Sequence, residues 1–88
     1  MIEYHYSLHA LRRIEKRKLN FKWIENTLDS PYEILYLEGT ELVYFIGRVE
    51  EFGNRYLKVV VNIKSKVIVT IHFDRNLKRR IENENKNR

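Results

Sequence analysis

The 88-residue chain contains no cysteine, a single proline and three glycines, and each scarcity excludes something. Without thiols there is neither a disulfide framework nor a thiolate metal site, which fits a reducing, cytoplasmic setting. So little Gly and Pro rules out collagen-like and low-complexity chains, and a 43% hydrophobic share is that of a globular protein with one modest core. No apolar run approaches the roughly 20 residues of a membrane span. The opening Met1-Ile2-Glu3-Tyr4-His5 lacks the charged-then-apolar order of a signal peptide, so no membrane partner is expected. Also missing are a Gly-rich phosphate loop, a G-x-S-x-G elbow and a close carboxylate pair on a strand, which sets aside nucleotide hydrolysis and most carboxylate-based hydrolases. His5 and His9 are four residues apart, but Ser7 begins a helix between them. They share no helical face, and neither a metal site nor a cofactor is expected.

What the chain has is positive charge, unevenly placed within a net +5. Residues 8–18 hold five Lys or Arg against Glu15, and residues 75–88 hold six against Glu82 and Glu84. Residues 19–74, with six basic and eight acidic groups, are slightly acidic. Confinement of the charge to one segment and the tail suits a polyanionic partner.

In chain order, residues 1–6 alternate Ile2, Tyr4 and Tyr6 against Glu3 and His5, which fits a short strand or an extended lead-in. Ser7 is placed to cap a first helix with Ala10, Leu11 and Ile14 as its apolar stripe. His9, Arg13 and Arg17, spaced i, i+4, i+8, form a row along the border of that stripe. Asn20 caps a second, short helix, with Leu19 stapled to Ile24, a stripe of Phe21, Ile24 and Leu28, and an end at Asp29-Ser30-Pro31. From residue 33 the period changes to that of strands, over 33–37, 42–48, 56–63 and 67–74, separated by turn-prone segments. The expected fold is α+β: two N-terminal helices packed on a four-stranded antiparallel sheet, with a possible short N-terminal strand. It forms one domain, residues 1–75, followed by a basic tail, 76–88, whose first part suits one or two helical turns.

A three-residue loop at Lys64, Ser65 and Lys66 would pair 63 with 67, 61 with 69, 59 with 71 and 57 with 73. Leu57, Val59, Val61 and Ile63 then meet Val67, Val69, Ile71 and Phe73 on the core face. On the opposite face Lys58 lies across from His72.

The opening Ser7-x-His9-Ala10-x-x-Arg13-x-x-x-Arg17 comes before a short helix ending at Ser30-Pro31. The strands Leu57-Lys58-Val59-Val60-Val61 and Val67-Ile68-Val69-Thr70 follow. Together they resemble the domain-of-unknown-function 4258 family, grouped with RelE/ParE/BrnT-like toxins, over residues 7 to about 73. That resemblance implies a RelE-like fold and a toxin-like, metal-independent endoribonuclease. It also implies RNA as substrate and an acidic antitoxin-like protein as partner.

Metal-free RNA cleavage needs a base for the 2′-OH proton, cations for the crowded phosphate and an acid for the leaving oxygen. The candidate catalytic residues are His9, Arg13, Lys58 and His72. The candidate nucleic-acid contacts are Arg12, Arg17, Arg48, Arg75, Lys78 and Arg79, with Trp23, Tyr44 and Tyr56 able to stack on bases. His9, Arg13 and Arg17 are expected to face one cleft between helix and sheet. A structural alternative stands beside this: Arg13 and Arg17 tie the helix to the sheet, the histidines serve the fold, and the chain is a non-enzymatic module binding nucleic acid or a partner.

Overall fold

The computed structural model describes residues 3–75. A two-residue strand, β1 (His5–Tyr6), leads into α1 (Leu8–Arg17). Ser7 starts that helix: its backbone is extended, and its hydroxyl accepts the Ala10 amide at 3.0 Å, satisfying a donor that has no partner within the helix. α1 stops where Lys18 turns left-handed at φ 52 and ψ 48, with the Leu19 amide reaching back to the Ile14 carbonyl. Asn20 caps α2 (Phe21–Asp29) by accepting the Lys22 amide. Leu19 and Ile24 are both buried, as a hydrophobic staple requires.

The buried stripe of α2 differs from the one the sequence suggests. Ile24 and Thr27 are buried, Leu28 is half-buried, and Phe21 stays 45% exposed with its ring edge-on to Tyr6. The reason lies across the interface at Gly47 on β3 (Leu42–Val49). A Cβ there would fall 2.1 Å from Thr27 Oγ1, so the missing side chain admits the threonine. Its hydroxyl is satisfied within the helix by donating to the Trp23 carbonyl at 2.7 Å.

The remaining strands are β2 (Glu33–Tyr36), β4 (Arg55–Asn62) and β5 (Val67–Phe73), and a single 3-10 turn, Glu50–Phe52, joins β3 to β4. The sheet order is β1-β5-β4-β3-β2, with β2 to β5 an antiparallel meander and β1 parallel to β5. The expected four-stranded antiparallel sheet is therefore a five-stranded mixed one. Two residues are too short for any side-chain period, so neither the pairing of β1 nor its direction can be read from its sequence. Ala10, Ile14, Leu19 and Ile24 meet Val43, Phe45, Leu57, Val59, Val61, Ile68 and Ile71 in one core on the helix-bearing face. Among the described residues no helix is long and apolar enough to cross a membrane.

The β4–β5 register agrees with expectation at Leu57↔Phe73, Lys58↔His72, Val59↔Ile71 and Val60↔Thr70, then departs to Val61↔Ile68 and Asn62↔Val67. The turn is one residue longer than expected. The Asn62 side chain accepts the Lys64 and Ser65 amides, and Lys66 adopts φ 62. A β-bulge then absorbs the shift, with Val69 as the extra residue. Ile68, not Val69, therefore carries the core contact with Val61, and Lys58 still faces His72.

Gly47→Ala should lower stability by about 1–3 kcal/mol, the usual cost of overpacking, as read by chemical denaturation. A variant as stable as the parent would show that α2 does not rest on the β3 backbone.

Candidate functional site

The site begins with a strand edge that needs covering. β1 pairs with β5 only as far as Tyr6↔Ile68, and beyond it the outward carbonyls of β5 need other donors. Within the paired stretch backbone amides serve the outward carbonyls: His5 donates to Lys66, just before β5, and Ser7 to Ile68. The bulge then switches the outward carbonyls to 69 and 71. The Ser7 hydroxyl donates to Val69 at 2.9 Å, and Arg13 Nε donates to Ile71 at 3.1 Å. α1 is thereby fixed along this edge. Only Nε of Arg13 makes that bond, and among the described residues its two Nη groups keep their donors available at the end of the strand.

Beside it lies a groove of about 480 Å³. Arg13, Arg17 and Lys18 from the end of α1, Arg55 from the start of β4 and Arg75 after β5 supply its charge. Trp23, Phe52 and Phe73 supply its apolar wall, and His72 opens onto it. No carboxylate is among its described lining residues. The ion pairs among the described residues are Arg48–Glu50, Lys58–Asp74 and Lys64–Glu41, none of which uses a groove cation. With no ion pair to any of these five cations among the described residues, the set can pair with an anion such as phosphate.

His72 is held below its ordinary value of 6.5, first by burial, then by the positive charges of Lys58 and Arg13; Asp74 pulls the other way. It is therefore neutral near pH 7 and able to accept a proton. Lys58 lies directly opposite on β4, with Nζ 3.4 Å from Asp74 Oδ2 and 4.5 Å from the centre of the Tyr44 ring. Those contacts hold the ammonium beside the imidazole.

Of the residues singled out from sequence, Arg13, Arg17, Arg75 and His72 line this groove, with Lys58 adjacent to His72. His9 and Arg12 are exposed on α1 and do not line it. Arg48 lies elsewhere, paired with Glu50 at 2.8 Å in the lining of a second pocket of about 650 Å³ that Trp23 also borders. Lys78 and Arg79, with the rest of the tail, lie outside the described residues. Of the proposed stacking rings, Trp23 borders the groove, Tyr44 sits under Lys58, and Tyr56 is 6% exposed with its ring against Tyr32. Sequence reading missed Lys18, Arg55, Phe52 and Phe73. Lys18 and Arg55 stand just outside a periodic segment, and only the closure of the fold brings them to one place.

The His72 assignment fixes the sign of a pH effect. In the range just below 6.5 the unfolded chain binds more protons at this site than the folded one. The contribution of His72 to stability is thus fully present above pH 6.5 and falls away as pH drops through the folded midpoint. An NMR titration should place that midpoint below 6.5 and Lys58→Met should move it upward. A midpoint at or above 6.5 in the parent chain would contradict the assignment.

Comparison with known proteins found no match among curated proteins or solved structures. It did find a family model matching residues 6–72, from the strand that precedes the Ser7 cap through His72. That span takes in both helices, the meander up to its last residue and the paired Lys58 and His72, and on it the chain belongs to the family described as Domain of unknown function (DUF4258).

Proposed function

We propose that the chain is a toxin-like, metal-independent endoribonuclease, related to the RelE/ParE/BrnT-like toxins in fold and in use. The observation that carries this reading is the neutral His72 on the wall of a five-cation groove. Two helices on one face of a meander are in keeping with RelE-like packing. The phosphate of a bound RNA lies against Arg13, Arg17 and Arg75. His72 removes the proton of the adjacent 2′-OH, and that oxygen attacks phosphorus as the bond to the 5′ oxygen breaks. The Arg and Lys side chains balance the charge that builds on the phosphate, and the leaving 5′ oxygen takes a proton from water. The products are a 2′,3′-cyclic phosphate and a 5′-hydroxyl. An acidic antitoxin-like protein would restrain the activity in the cytoplasm by occupying the same cations.

A second reading has its own support. Arg13 Nε is bonded to the Ile71 carbonyl and His9 stands outside the groove, as suits a non-enzymatic module that binds RNA or a partner.

Single-stranded RNA incubated with the folded chain in the presence of a chelator distinguishes the two. The nuclease reading expects cyclic-phosphate ends, a loss of about 10²–10⁴ in rate for His72→Gln, and binding unchanged by that substitution. Binding without any cleavage rejects the nuclease and supports the binding module.

A further inference from the structure

The apolar wall of the groove is unusual for a phosphate site. Phe52, on the 3-10 turn between β3 and β4, remains 43% exposed although two aromatic partners are in contact with it. Its ring lies 5.4 Å from Trp23 and 5.0 Å from Phe73, tilted 34° in each case. The Arg55 guanidinium sits 5.1 Å from the centre of the same ring. Trp23 is fixed in turn, since its indole N–H donates to Glu51 on that turn and Phe73 meets it edge-on. These side chains are locked in place, so little rotamer entropy remains to be lost when a flat ligand settles on them. A site for phosphate alone has no use for exposed rings, and a wall built only for packing would bury Phe52.

From this juxtaposition of the exposed Phe52 ring, the half-buried Trp23 and cations that have no ion pair among the described residues, we infer that the site selects single-stranded nucleic acid, with an unstacked base lying on Phe52 and Trp23 while the flanking phosphates rest on Arg13, Arg17 and Arg75. The inference rests on the polyanion-binding part of the proposed function and is independent of cleavage. A duplex keeps its bases stacked on each other and offers only its backbone, whereas a single strand offers both backbone and base faces. Stacking of this kind tolerates any base, so the groove discriminates strandedness more than sequence.

The chain has one tryptophan, which makes the test direct. An eight-nucleotide single strand should quench Trp23 fluorescence and bind more tightly than a duplex of the same length. A strand of equal charge with abasic sites should bind weakly and leave the emission unchanged. Phe52→Leu keeps an apolar side chain at a surface position; circular dichroism checks its fold. It should weaken the base-bearing strand by roughly 5- to 100-fold, leave the abasic strand unaffected, and preserve the steep salt dependence of binding. Equal weakening of both strands, or equal affinity for duplex and single strand, overturns the inference while leaving a polyanion groove in place. Loss of binding to every polyanion tested rejects both this inference and the functional reading beneath it. Tight, base-dependent binding without cleavage supports the inference and rejects only the nuclease.

Discussion

The structure depends on how the outer edge of β5 is closed. β1 supplies two residues of pairing and then stops, leaving the outward carbonyls beyond Ile68 without a strand partner. The bulge at Val69 changes which carbonyls point outward. Ser7 and Arg13 then serve the two that follow, at 2.9 and 3.1 Å. Ser7 does this while also capping α1 through the Ala10 amide. One hydroxyl thus fixes the start of the helix and its position on the sheet. With the helix start and Arg13 both fixed, Arg17 one turn further on is carried to the end of the strand, where His72 lies.

The same bulge sets the position of His72 on β5. Continued from Asn62↔Val67 without the extra residue, the ladder would set Lys58 against Ile71 and turn His72 toward the core. With it, the imidazole sits across from Lys58 and opens onto the groove. The cations gathered there repel one another, and the fold restrains several of them: Arg13 by the Ile71 carbonyl, Arg55 over the Phe52 ring. Lys58 differs in being paired with Asp74. Carboxylates instead line a separate groove, where Glu3, Glu25 and Asp29 surround Tyr4 and Tyr6. Among the described residues, acidic and basic side chains thus line separate grooves.

Much of this was legible in the sequence because local signals agreed with one another. Ser7 and Asn20 announce both helix starts by type and position, and Pro31 announces the end of the second. The strand bounds follow from β-branched runs, and the Lys58↔His72 pairing follows from matching apolar rows. Four features were not legible. The direction of β1 depends on backbone partners alone. The four-residue turn and its compensating bulge leave the pairing near His72 unchanged, so the apolar pattern fits either solution over residues 57–60. The burial of Thr27 depends on Gly47, twenty positions away and on another element. The groove itself is assembled from residues at the ends of elements, Lys18, Phe52, Arg55 and Arg75, whose proximity no spacing rule reveals. The row of His9, Arg13 and Arg17 was a sound reading of helix geometry, but the groove lies only at its C-terminal end, so Arg13 and Arg17 line it without His9.

The most direct measurement of the central claim is a heteronuclear NMR map, including arginine Nε and tryptophan Nε1 signals, recorded while a short single-stranded RNA is added. The account predicts that the largest shifts fall on Arg13, Arg17, Arg55, Phe52, His72 and the Trp23 indole, all bordering one groove. Shifts centred instead on His9, Arg12 and Lys16 along the exposed face of α1, with the groove signals unmoved, would contradict it.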